Sequence, residues 1–340
     1  MQENIELRVA CVGAGYFGQF HIDSWQRMPR AKLVGICDCD LERARSFGVS
    51  AFVELAEMIE KTTPNVLDVV VPPDAQSEVL RLAFSCGVKT VICQKPFCRS
   101  LAEAKEICRE AAQAGVTLIV HENFRFQPWY RFIKSELDKN RIGTLQNMTM
   151  RLRPGDGQGP DAYLDRQPYF QKMERFLIHE TGVHWIDTFR FLAGDPMAVY
   201  ADLRRLNPAI VGEDAGYVIF DHSNGVQAQF DGNRHLDHQA ANQRLTMGEA
   251  FFEGTKGVLE LTGDGSVWFR GAGSQERHQV FQSETSRGFA GDCVHALNTH
   301  VVAGLSDGLP FENEASDYLK VLEIEEAIYL STSEGKKIRL

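Results

Sequence analysis

Leu7-Arg8-Val9-Ala10-Cys11-Val12-Gly13-Ala14-Gly15-Tyr16-Phe17-Gly18 decides how the N-terminal part of the chain is read. An apolar, strand-like run meets a Gly-x-Gly-x-x-Gly loop, and helical spacing follows from Phe17 to Met28. The motif is weak alone, but a strand before it and a helix after it are the context it requires. Its glycines let the chain turn tightly and let N–H groups at a helix N-terminus approach a pyrophosphate. The next apolar run, Ala31 to Cys37, leads into Asp38, 20 residues after Gly18. A carboxylate there accepts hydrogen bonds from a ribose diol and repels a 2′-phosphate, which favours NAD over NADP. The expected cofactor contacts begin with Gly13, Gly15, Tyr16, Phe17, Gly18 and Asp38. A glycine turn without a ligand is the competing reading.

Outward from this stretch, Val66 to Val71, Val88 to Cys93 and Val116 to Val120 are further apolar runs. Ala75 to Cys86 and Ser100 to Ala114 have helical spacing, the second with Ser100 as N-cap and Glu103 completing a capping box. Strand and helix in alternation predict an α/β domain, a doubly wound parallel sheet with helices on both faces. After Pro128 the character changes. Leu145 to Leu152, Val199 to Leu206, Gly216 to Phe220, Val226 to Phe230, Leu245 to Glu253, Val258 to Leu261 and Ser266 to Phe269 are short strand candidates between turn signals. They predict a large, mainly antiparallel sheet, with helices at about 179–193, 291–305 and 314–333. Two domains are expected, 1–124 and 125–340, the last helix packing back on the first. Arg153 to Asp161, rich in Gly, Pro and Asp, reads as a mobile loop.

A chain of 340 residues suits two domains. Its net charge of −10, with no basic face, argues against nucleic acid. No apolar run is long enough to span a bilayer, and Met1-Gln2-Glu3-Asn4 lacks the features of a signal peptide. Eight scattered cysteines without Cys-x-x-Cys fit a reducing cytoplasm.

Lys95 ends the apolar run Val91-Ile92-Cys93-Gln94 and precedes Pro96. An amine at a strand's carboxyl end stands where open α/β sheets bind ligands. It either polarises a substrate oxygen and shares in proton transfer, or pairs with a surface carboxylate. Cys93 and Cys98, which flank it, read as packing. Pro72-Pro73-Asp74 closes another strand on the same edge, as a cofactor contact or as a plain helix start. In Glu180-Thr181-Gly182-Val183-His184-Trp185-Ile186-Asp187, a helix would put Glu180 and Asp187 beside His184. Oxidising an alcohol by hydride transfer requires a base, and a histidine whose tautomer a carboxylate fixes supplies one; a hydrogen-bonded core histidine is the alternative. His179 and His184 are five apart and diverge around a helix, so no metal site is expected. Extended spacing in His121-Glu122-Asn123-Phe124-Arg125 puts Asn123 and Arg125 on one face with His121, as substrate contacts or as a hinge.

Taken together, Gly13 to Gly18, Pro72-Pro73, Gln94-Lys95-Pro96, Asn123 to Arg125 and Glu180 to His184 resemble, in order and spacing, the Gfo/Idh/MocA family of sugar and inositol dehydrogenases. The likeness covers essentially the whole chain and is greatest to a bacterial subgroup that includes D-apiose dehydrogenases. It implies a Rossmann domain followed by an α+β domain whose open sheet mediates homodimers or homotetramers. It also implies catalytic Lys95 and His184, Glu180 where the family has Asp, a cis peptide before Pro96, and NAD contacts from Pro72, Pro73, Gln94 and Lys95. The implied activity oxidises a CH–OH group of an aldose, a cyclitol or a branched pentose, with no membrane partner. Relatives that keep NAD bound and cleave glycosides, and a non-catalytic NAD-binding regulator, are the rival implications. Gln94 replaces the family's Glu, which leaves the lysine freer to lose its proton, and Gln76 stands where many members have His. Substrate choice falls to 153–170 and 234–243, with Tyr163, Arg166, Asp187 and His235 as further candidate contacts.

Overall fold

The structure, a computed structural model, describes residues 6–283 and 288–340; the N-terminal residues read above for a leader lie outside them. Two compact units divide the chain, Met1–Asn123 with Val294–Lys320, and Phe124–Cys293 with Val321–Leu340.

The first unit runs β1 (Leu7–Val12), α1 (Gly18–Gln26), β2 (Ala31–Cys37), α2 (Leu41–Arg45), β3 (Ala51–Phe52), α3 (Leu55–Thr62), β4 (Val66–Val69), α4 (Pro73–Ser85), β5 (Thr90–Gln94), α5 (Leu101–Gln113) and β6 (Thr117–His121). All pairings are parallel and the order is β3-β2-β1-β4-β5-β6. The order reverses between β1 and β4, so the crevice outside their carboxyl ends is the expected ligand position. β4 and β5 are wholly buried, as strands covered by helices on both faces must be. Ser100 caps α5 by accepting the Glu103 N–H at 3.3 Å, but the carboxylate of Glu103 turns to the N–H of Arg99 at 2.8 Å. The expected capping box is therefore half made, because the Arg99 guanidinium holds Glu103 and keeps its carboxyl down at about 2. α2, β3 and α3 were not foreseen.

The second unit carries α6 (Pro128–Asp138), β7 (Leu145–Leu152), α7 (Val183–Ala193), β8 (Pro196–Arg204), β9 (Ala215–His222), β10 (Gln227–Asn233), β11 (Gly248–Gly254), β12 (Gly257–Leu261), β13 (Val267–Gly271) and β14 (His278–Phe281). α8 (Cys293–Asp307), counted from Val294 with the first unit, and α9 (Ala315–Glu334), counted from Val321 with the second, follow, and β15 (Ile338–Arg339) ends the chain. The sheet has nine strands in the order β14-β13-β12-β11-β7-β10-β9-β8-β15, antiparallel except where β10 pairs β7. Alternate residues Val218, Phe220, Ala228 and Phe230 are buried on its inner face. α7 lies against that face through Trp185 stacked on Phe230 (5.4 Å) and Phe189 edge-on to Phe220 (5.6 Å). Each such phenylalanine contributes about 1.5–3 kcal/mol by burial. A helix opening at Pro128, where a proline fits the first turn, was not foreseen.

Candidate active site

In the glycine loop the three motif glycines have separate duties. Gly13 adopts φ +95°, and a Cβ there would sit 2.2 Å from the Val70 carbonyl oxygen. A Cβ on Gly18 would lie 2.5 Å from the Gly13 carbonyl oxygen, so α1 must start against the turn. A Cβ on Gly15 would meet nothing within 4 Å. Gly13 and Gly18 are thus glycine for the protein's own packing, whereas Gly15 leaves space above the backbone where a pyrophosphate fits. Asp38 follows β2 and is buried; it accepts the N–H of Ala14 at 2.6 Å and of Asp40 at 2.8 Å, with the Arg43 guanidinium 3.5 Å away. It therefore ties the loop to the second strand, a task its sequence position does not reveal. Tyr16 is exposed and edge-on to Phe20 (6.0 Å), and Phe17 lies 5.6 Å from the His21 ring. Pro72 caps α4 and Pro73 opens it.

The turn after β5 carries Lys95, half-buried, joined to Pro96 by a cis peptide. Its N–H donates to Gln94 Oε1 at 2.7 Å. Gln76, wholly buried, donates to the carbonyls of Gln94 (2.9 Å) and Pro96 (3.0 Å) and accepts the N–H of Cys98 (2.7 Å). Gln76 thus clamps the lysine's turn from below. Burial pushes the Cys98 thiol up to about 12 and that of Cys93 well above its ordinary range, so neither is an ionised nucleophile. β6 ends at His121, and Phe124–Phe126 is a 3₁₀ turn, so the alternation expected to align Asn123 and Arg125 stops at the strand end. Asn123 is 1% exposed and its Oδ1 has no partner among the described residues, a buried acceptor of the kind a bound ligand satisfies. Gly15, with open space above it, and Asp38, at the end of β2, fit a dinucleotide.

In the second unit, Leu177–Gly182 is a π-helical turn that runs into α7, where one α-helix from His179 was expected. Such turns recur at functional sites. Glu213 accepts the N–H groups of Phe176 (3.2 Å) and Ile178 (3.1 Å) at its start. His179 pairs with Glu325 at 2.7 Å. Glu180 and His184 stand on either side of the π–α junction. The Glu180 carboxylate accepts Thr181 Oγ1–H at 2.7 Å, and the buried His184 ring stacks on Phe124 at 3.7 Å and 5°. Arg125 grips Asp187 with both ends of its fork (2.7 and 2.6 Å), so the two candidate substrate contacts hold each other in the interior. This bidentate pair fixes the 3₁₀ turn bearing Phe124 onto α7.

The loop expected to be mobile is pinned. Gly155 and Gly157 donate to the carbonyls of Leu236 (2.9 Å) and Arg234 (3.0 Å). Arg234, 2% exposed, bonds Asp156 (3.2 and 2.8 Å), Tyr163 Oη (3.0 Å) and Thr181 Oγ1 (2.8 Å). Burial opposes ionising Asp156, but the Arg234 charge outweighs it and holds that carboxyl below its usual value. Tyr163 sits in the left-handed region (φ 71°) and is buried among Phe170, Phe176 and Ile210. Arg166 bonds Asp156 at 3.0 Å and His235 bonds Asp214 at 2.8 Å. Of the large apolar side chains in 153–170, Leu164 and Tyr169 are the exposed ones.

Residues 7–122 match the family described as the oxidoreductase family with NAD-binding Rossmann fold, and 130–260 match the GFO/IDH/MocA C-terminal domain. The chain is 30% identical to a D-apiose dehydrogenase of Paraburkholderia graminis, over 97% of this chain and 89% of that protein. It is 29% identical to a D-apiose dehydrogenase of Rhizobium rhizogenes, over 98% and 97%. An oxidoreductase from Agrobacterium radiobacter, crystallised with NAD+, L-tartaric acid and magnesium, superposes with a TM-score of 0.88 at 27% identity, covering 98% of each chain. Among the described residues no helix is long and apolar enough to cross a membrane. The glycine loop with its open Gly15, the clamped lysine turn and these matches place the chain in the Gfo/Idh/MocA family of NAD-binding oxidoreductases.

Proposed function

We propose that the protein oxidises a CH–OH group of a sugar or cyclitol, with a branched pentose such as D-apiose the first candidate. The observation that carries this reading is the Lys95 turn, a half-buried amine set by hydrogen bonds on both sides at the carboxyl end of β5. The two D-apiose dehydrogenases support the choice of substrate through identity along nearly their whole lengths. NAD, when bound, accepts the hydride. The Lys95 ammonium polarises the substrate oxygen and stabilises the negative charge that grows there. His184 takes the hydroxyl proton, its ring plane held by Phe124. Glu180 orients the imidazole and meets substrate hydroxyls. Asn123 offers its buried amide to the substrate or the nicotinamide. Arg125 and Asp187 hold the histidine's surroundings, and Tyr163 braces the loop that frames the substrate.

Two further parts of the reading concern the cell. The eight cysteines are all free thiols, which fits the cytoplasm. The outer face of the nine-stranded sheet, with Tyr200 and Tyr217 exposed, suits a homodimer or homotetramer.

The test is NADH formation across D-apiose, common aldoses and inositols. D-apiose or a near relative is expected to give the highest kcat/KM. A protein that binds NAD yet oxidises none of them overturns the reading. Release of nitrophenol from a nitrophenyl glycoside without added NAD would replace it with transient-oxidation hydrolysis.

A further inference from the structure

Behind Lys95 lies a buried chain of hydrogen bonds whose direction is forced. A backbone N–H only donates, so the end of Gln94 that receives the Lys95 N–H is Oε1. The other end, Nε2, then points at His21 Nε2, 2.9 Å away, and an amide NH₂ only donates. His21 Nε2 is therefore the acceptor, and its ring proton lies on Nδ1, 2.8 Å from Asp68 Oδ2. Trp25 Nε1–H donates to the same oxygen at 2.6 Å. Asp68 is thus a carboxylate; burial opposes that form, but the His21 contact brings its pKa below the usual value. Asp68 and His21 are fully buried and Gln94 is 7% exposed, so water does not compete along this line. Gln76 holds the carbonyls on both flanks of the same lysine. Two of the three positions at which this chain departs from the family pattern, 76 and 94, thus carry neutral amides that grip one turn.

We propose that Gln94, backed by His21 and Asp68, is a positioning device that fixes the backbone of Lys95 so that its amine meets the substrate oxygen. A carboxylate at position 94 would face the lone pair of His21; the neutral amide matches the neutral ring. The proposal rests on the reading of Lys95 given above.

The experiment uses the full chain with NAD and the best substrate of the panel. Gln94→Met and His21→Asn are made alone and in a Lys95→Met background. Gln94→Met is expected to lower kcat about tenfold, with the substrate KM at saturating NAD within about twofold. In the Lys95→Met background, followed by single turnovers at high enzyme concentration, neither change lowers the rate further. Hydrogen exchange on the fragment 91–98 is expected to speed up in Gln94→Met and in His21→Asn alike. Losses that multiply in the Lys95→Met background, or exchange that stays at the native rate, overturn the proposal. So does failure of both Gln94→Met and Gln94→Leu to fold, which makes position 94 merely structural. Full activity in Lys95→Met overturns the reading of Lys95 instead, while the exchange measurement still judges the hydrogen-bond chain by itself.

Discussion

The two units hold their candidate site residues by different means. In the first, the turn that carries Lys95 is set by two neutral amides, Gln76 and Gln94. In the second, Glu180 and His184 are framed by charge: Arg125 on Asp187 and Arg234 on Asp156. A neutral clamp has no charge to leave stranded, so its failure is local. A buried ion pair that loses one partner leaves an uncompensated charge, and the damage is global. The difference separates what each unit risks: the first loses geometry, the second loses stability.

Arg234→Met breaks the charged frame and has the largest expected effect on stability. Asp156 keeps the half-buried Arg166 but loses its buried partner, and Thr181 and Tyr163 lose their donor. Because Asp156 is partly exposed, the loss falls at the low end of the range for broken buried pairs, about 3 kcal/mol. Urea unfolding reads it. KM for the sugar should rise while the NAD Kd stays unchanged, since the cofactor loop belongs to the other unit. An unfolding curve equal to the wild type's would show that this unit does not depend on its charges.

Legibility follows the same division. The strand, glycine loop and α1 were readable because contiguous residues specify them, and Ser100 was readable as a cap for the same reason. The π turn at Leu177–Gly182 was not, because Glu213, distant in sequence, satisfies its first N–H groups. The pinned 153–161 loop depends on Arg234 in the same way. Asp68 did leave a signal, as the one charge in the apolar run Val66-Leu67-Asp68-Val69, and so did His21, four residues before Trp25 on the buried side of α1. Each was unremarkable until tertiary pairing joined them. Asn123 and Arg125 were noticed for the right polarity on the wrong geometry, since a 3₁₀ turn and not a strand carries Arg125.

Within the first unit, the glycines sharpen what a backbone-built site means. Gly13→Ala drives a Cβ into the Val70 carbonyl in a left-handed conformation and should destabilise the chain by about 2 kcal/mol. Gly15→Ala meets no protein atom, so the melting temperature should hold while the NAD Kd rises about tenfold, equal to about 1.4 kcal/mol of binding. Calorimetric titration with NAD and thermal unfolding separate the two. Equal melting losses in both variants would mean that Gly15, too, serves packing.

Acid is the remaining probe, because the first unit buries a second imidazole, His121, beside the hydrogen-bond chain behind its neutral clamp. The His121 ring lies 4.1 Å from that of His21, tilted 44° to it, and burial lowers its pKa from 6.5 to about 3. Between those values the unfolded chain binds a proton there that the folded chain does not. Stability must therefore fall as pH drops from about 6.5 toward about 3, by about 1.4 kcal/mol per pH unit from this ring. His121→Gln, which keeps an amide opposite Asn298, should flatten the slope of unfolding free energy by that amount between about pH 6 and about pH 5. His222 in the second unit is also held below its ordinary value by burial and would give a slope of the same sign. If His121→Gln leaves the slope untouched while His222→Gln flattens it, the acid response belongs to the charged unit, and the first unit is as indifferent to pH as its two glutamines suggest.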